Sequence, residues 1–63
     1  MPRPRKKFGG EWFELESVWH GPKDRFSVET RKLQISEISK RKYRVEEYAP
    51  YMWNIWIGPR RKR

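Results

Sequence analysis

Tyr51-Met52-Trp53-Asn54-Ile55-Trp56-Ile57 alternates without a slip. Tyr51, Trp53, Ile55 and Ile57 take one side of an extended chain, and Met52, Asn54 and Trp56 take the other. Both sides are largely apolar. That is the signature of a central strand, or of one whose second face meets a partner. Gly58-Pro59 stops this strand and Ala49-Pro50 precedes it, so its limits are marked by the residues that break regular structure.

Working back from this strand, residues 31–48 admit two readings. As strands, Leu33 and Ile35 share a face, Ser39–Lys42 turn the chain, and Tyr43, Val45 and Glu47 lead a new strand. As a helix, Ser36 is the N-cap, Ile38, Val45, Tyr48 and Ala49 form a stripe, and Pro50 ends it. The stripe has a gap at Arg41 and Lys42, which favours strands. Residues 25–30 alternate again, with Phe26, Val28 and Thr30 on one side. His20-Gly21-Pro22-Lys23-Asp24 before them is a strong turn signal, so 11–19 and 25–30 read as a β-hairpin. Within 11–19, Phe13, Leu15 and Trp19 share one face with Ser17, and Trp12, Glu14, Glu16 and Val18 share the other.

The fold expected is therefore mainly β. It is a small antiparallel sheet of about four strands, curled into an SH3-like or OB-like partial barrel, with one short helix possible. Residues 11–58 form the domain. Residues 1–10 read as a flexible basic N-terminal arm, with Gly9-Gly10 as a hinge, and residues 59–63 as a basic C-terminal tail. Phe13, Trp19, Phe26, Trp53 and Ile55 are the expected core.

At 63 residues, with no cysteine and one histidine, the chain has no disulfide and no ligand set for a structural metal. Its ten aromatics must supply most of the core despite a mean hydropathy of −1.19. No apolar run approaches a membrane span, and no apolar segment follows the N-terminal cations as in a signal peptide. The lack of cysteine fits an intracellular protein; with the nucleic-acid reading developed below, the expected location is cytoplasmic, associated with nucleoid or ribonucleoprotein.

The net charge of +8 lies at the ends. Residues 1–7 carry Arg3, Arg5, Lys6 and Lys7, and the chain closes on Arg60, Arg61, Lys62 and Arg63, with no acid in either run. From Phe8 to Pro59, basic and acidic residues balance, so the body is neutral. A third basic cluster, Lys40-Arg41-Lys42-Tyr43-Arg44, lies inside that body. Cations without matching acids are the means of gripping a polyanion: each one placed on a phosphate releases condensed counterions. Pro2-Arg3-Pro4-Arg5 resembles the Pro-Arg-Gly-Arg-Pro core of the AT-hook over four residues. It departs at Pro4, where the hook has glycine to approach the groove floor. The resemblance implies an extended arm in a groove and nothing further.

Trp12 and Trp56 alternate off the expected core faces and are the candidate exposed rings. Rings beside cations suit base stacking with phosphate pairing. Arg3, Arg5, Lys6, Lys7, Lys40, Arg41, Lys42, Arg44, Arg60, Arg61, Lys62, Arg63, Trp12 and Trp56 are thus the candidate nucleic-acid-binding set. No nucleophile elbow, phosphate loop or sheltered acid–base pair is present in the sequence, so neither catalysis nor a cofactor is expected. The leading expectation is a nucleic-acid-binding protein, DNA or RNA, monomeric or weakly dimeric. The alternative is a protein-binding modulator of a nucleic-acid-processing complex. There the arms fold on an acidic partner and Tyr51–Ile57 adds as a strand or docks as an aromatic anchor.

Overall fold

The computed structural model of the chain describes residues 3–61. Four strands and one helical segment follow in the order β1 (Arg5–Phe8), β2 (Glu11–His20), α1 (Asp24–Leu33), β3 (Arg41–Ala49) and β4 (Met52–Arg60). The helix continues past Leu33 as a π-helical turn, Gln34–Ile38. The strands form one antiparallel sheet in the order β1-β2-β4-β3, curled into a half-barrel. β2 and β3 both run antiparallel to β4, so they are parallel to each other with β4 between them. The helical segment makes the crossover that this split β-α-β arrangement requires.

Met52–Ile57 is central, in keeping with its doubly apolar alternation: β4 is paired on both sides. Tyr51 belongs to the turn before it, with φ of 59°, and the strand runs through Gly58 and Pro59 to Arg60, so these residues neither stop it nor begin a tail. β4 cannot add as a strand to another sheet, and that part of the protein-binding alternative falls. β3 begins at Arg41 and carries Tyr43 and Val45 inward, as the strand reading of that stretch requires.

Three further expectations need correction. The first concerns the N-terminal arm. Arg5–Phe8 is a strand paired with Glu11–Glu14. Gly9 and Gly10, read as a hinge, are the two loop residues of the hairpin, with φ of 56° and 84°. Two successive left-handed residues make the loop whose twist matches that of the strands, and glycine takes this conformation without a Cβ penalty.

The second concerns residues 25–35, which are helical. His20–Asp24 breaks the chain as expected, but it leads into α1 rather than a hairpin. The Asp24 carboxylate accepts a hydrogen bond from the His20 backbone N–H, and the Asp24 N–H donates to the Gly21 carbonyl. The helix is hard to read because its buried stripe is thin. Only Val28 and Ile35, two turns apart, are buried. The positions between them on that side, Arg31 and Lys32, are cations engaged with Glu16 and Glu29. Phe26, expected in the core, is 79% exposed on the outer side of the helix.

The third concerns β2, which does not keep one face. Its pairing with β4 is regular to Leu15↔Trp56 and resumes at Ser17↔Ile55, so Glu16 is a β-bulge. The extra residue turns the strand over. Phe13 and Leu15 lie on the face of Trp56, while Ser17 and Trp19 lie on the face of Ile55 and Trp53. The bulged Glu16 reaches the helix, where Arg31 donates to it through Nε at 3.0 and 3.1 Å and through Nη2. This bond holds the Glu16 carboxyl below its ordinary value, outweighing the opposing effect of its partial burial, and raises Arg31 in turn.

The sheet therefore has two different faces. Against the helix, Val28, Ile35, Trp53 and Ile55 form the core, with Trp19, Tyr43, Val45 and Ile57 packed around it. Ile55 is fully buried. Inside the curl, Phe13 lies over Gly58, so close that a Cβ there would sit 2.5 Å from its ring. Phe8 meets Phe13 and Trp56 edge-on, at centroid distances of 5.2 and 5.9 Å.

Candidate functional site

Ion pairs, rather than a second sheet, draw the edges of the curl together. Lys6 on β1 donates to Glu46 on β3 at 2.7 Å, bridging the two edge strands. Lys42 on β3 donates to Glu11 at the start of β2, also at 2.7 Å. Glu46 additionally accepts long hydrogen bonds from Asn54 and Trp56, each 3.4 Å. The Lys6 bond, supported by these two, depresses the Glu46 carboxyl. Phe8 lies between two cations, with Lys6 Nζ 5.4 Å and Arg44 Cζ 5.8 Å from its centroid.

Antiparallel pairing of β3 and β4 then does what the linear sequence hides. It sets Arg41 opposite Arg60, and the Arg61 N–H donates to the Lys40 carbonyl at 2.8 Å. The internal cluster and the C-terminal run are thus one basic pole. Arg41 Nε donates to the Gly58 carbonyl at 2.7 Å, and Arg61 Nη1 donates to the Ser36 carbonyl and hydroxyl at the end of the π-turn. These bonds fix two guanidinium groups at the mouth of an open cleft of about 660 Å³. Phe8, Glu11, Lys42 and Arg44 line it as well.

The candidate residues separate into groups. Lys40, Arg41, Lys42, Arg44, Arg60 and Arg61 come together at the pole. Arg5 and Lys7 lie on the outer face of β1, opposite Glu14 and Trp12. Lys7 Nζ stands 5.7 Å from the Trp12 ring, and Trp12 is 60% exposed, as expected. Arg3 precedes β1 and adds to the positive field on Glu16. Lys6 closes the curl. Trp56, expected to be exposed, is only 7% so, because the curl and β1 cover it. Lys62 and Arg63 lie outside the described residues. Among the described residues, Arg5, Lys7, Lys40, Arg44 and Arg60 have neither an ion pair nor a side-chain hydrogen bond.

Phe8 is the site residue that sequence reasoning passed over. Its signal was present: an aromatic directly before Gly-Gly, at the last position of a hairpin strand. The run of cations before it masked the strand.

No family model matches the chain, and comparison with curated proteins and with solved structures finds no significant match to either. The fold and surface stand on their own terms. They comprise a small β-rich half-barrel with exposed Trp12, Phe26, Tyr48 and Tyr51 among basic and acidic residues, suited to contact with a protein or a ligand. Among the described residues, no helix is long and apolar enough to cross a membrane.

Proposed function

We propose that this protein binds nucleic acid, with phosphates held at the basic pole and bases against Phe8 in the cleft or Trp12 beside Lys7. The single observation that carries this reading is the register Arg41↔Arg60, which brings two cationic runs together beside the cleft that Arg41 and Arg61 line. A groove of cations with aromatic rings at its floor and rim suits a single strand: phosphates follow the charge and bases stack without sequence preference. The role is binding rather than catalysis. Association with nucleoid or ribonucleoprotein follows from the same chemistry.

The test is a titration of the full chain with single-stranded DNA, RNA and duplex DNA over a range of salt. With four to eight duplex phosphate contacts, log K falls against log salt with a slope of about −4 to −7. Arg60→Glu with Lys40→Glu weakens binding to all three and flattens the slope. Salt-independent affinity, or full binding by the double variant, ends this reading. A second reading, a protein partner, draws on Phe26 and Leu33, both exposed on α1. Retention of a protein after nuclease treatment, together with weak binding to every nucleic acid tested, favours it.

A further inference from the structure

β3 is an edge strand whose ladder runs to β4 alone. Among the described residues, none of its outer backbone groups has a backbone partner. Such an edge is a template for another strand. Two features say which strand. The pairing with β4 is irregular between Arg41 and Tyr43 and again between Glu47 and Ala49. These irregularities lie symmetrically about Val45 and leave Tyr43–Glu47 as the regular stretch. The charge along the strand is also divided about that point, with Arg41, Lys42 and Arg44 before Val45 and Glu46 and Glu47 after it.

We propose that two copies of this chain associate through β3, antiparallel, on a twofold axis at Val45. Antiparallel pairing keeps opposite residues on one face, so the axis must pass through a residue rather than between two. A one-residue slip would set Arg44 of the open face against Val45 of the helix face. Three centres fall inside the regular stretch. An axis at Arg44 sets that guanidinium against its own copy and overlaps only part of the stretch. An axis at Glu46 does the same with two carboxylates. At Val45 the whole regular stretch overlaps, Val45 meets Val45, and Arg44 meets Glu46 of the second copy twice. Opposite charges directly across a ladder stabilise it and like charges destabilise it. Glu46 can take the second cation. Lys6 holds Oε2, while Oε1 has only the 3.4 Å contacts from Asn54 and Trp56. The assembly continues the sheet across both chains and directs its two basic poles apart, because the Arg41 ends of antiparallel strands point in opposite directions. It stands whether or not the protein binds nucleic acid.

Sedimentation equilibrium of the nuclease-treated full chain tests this. A monomer–dimer equilibrium is expected, and Arg44→Glu weakens it about tenfold or more, because two attractive contacts become repulsive. Glu46→Arg alone weakens it likewise. An equimolar mixture of the two variants restores association as a heterodimer, since each carries the charge the other lacks. Glu46→Arg also removes the Lys6 pair, so a second measurement uses the unaltered chain. In a half isotope-labelled sample, filtered NMR detects contacts between Val45 of labelled and unlabelled copies. A chain that stays monomeric at millimolar concentration, a dimer unaffected by Arg44→Glu, or an intermolecular contact centred elsewhere than Val45 overturns the proposal.

Discussion

The two faces of the sheet are closed by different physics. Against the helix, Ile55, Trp53, Val28 and Ile35 exclude water by apolar contact, and the Arg31–Glu16 pair adds a single polar tie. Inside the curl, Phe13 and Trp56 are as well buried, but their cover is a four-residue strand held by a hairpin, two aromatic edges and an ion pair. Apolar packing responds little to pH or to moderate salt, whereas a partly exposed ion pair is sensitive to both. The helix face should therefore set whether the chain folds, and the curl should set how far the cleft opens. A single molecule can thus have one rigid side and one adjustable side without any change of fold.

The sharpest way to break this comparison is to damage the rigid side. Ile55→Ala leaves a cavity at the most buried position and should cost about 2–5 kcal/mol. For so small a domain that approaches the whole stability, and thermal unfolding monitored by tryptophan fluorescence should show a broad, low transition. Gly58→Ala probes the other face. Its Cβ would drive into the Phe13 ring, which Phe8 backs, so a loss of about 1–3 kcal/mol is expected from overpacking. Denaturant midpoints report it, and a larger loss at Gly58 than at Ile55 would erase the distinction between the faces.

The ion-pair contribution is smaller and has a definite sign in pH. The Glu46 carboxyl is depressed below its ordinary value of 4.5 by the Lys6 bond. It therefore stabilises the fold fully above that value, and the contribution is lost as pH falls through the folded-state value. Glu16, depressed by Arg31, acts in the same direction. On acidification, amide exchange should quicken in β1 before it does in α1 and β4. Glu46→Gln should bring that fast exchange to neutral pH while the core amides stay protected. Uniform quickening across the molecule would show that the curl is not independent. Smallest of all in stability is Trp12→Ala, expected within about 0.5 kcal/mol of the parent for an exposed side chain. Its effect should appear in binding, as a several-fold loss of affinity for single strands, read by the same salt-dependent titration.

Legibility along the chain followed burial. β4 was readable from Met52 to Ile57 because both its faces are covered there, so nearly every residue had to be apolar; its continuation to Arg60 was not, since Gly58-Pro59 reads as a stop. β3 was readable from Tyr43 and Val45. β1 was not, since its outward Arg5 and Lys7 and its ion-paired Lys6 leave Phe8 as the only apolar residue in the strand. The helix was misread because its six-residue alternation over Arg25–Thr30 fits a strand, while its own period rests on Val28 and Ile35 with two cations between. Of the candidate site, the cationic residue types were evident but their grouping was not, and Trp56 was assigned to the wrong environment.

Composition and local pattern alone determined that this is a small β-rich body with excess positive charge, that the stretch up to Ile57 holds a strand with two apolar faces, and that no disulfide contributes to it. Those properties depend on which residues are present and on the period of their neighbours. Tertiary structure alone decided that the bulge at Glu16 sends Phe13 and Trp19 to opposite faces, that β1 covers Trp56, and that Arg41 stands beside Arg60. These depend on strand register, a relation between distant residues that changes every contact when it shifts by one position.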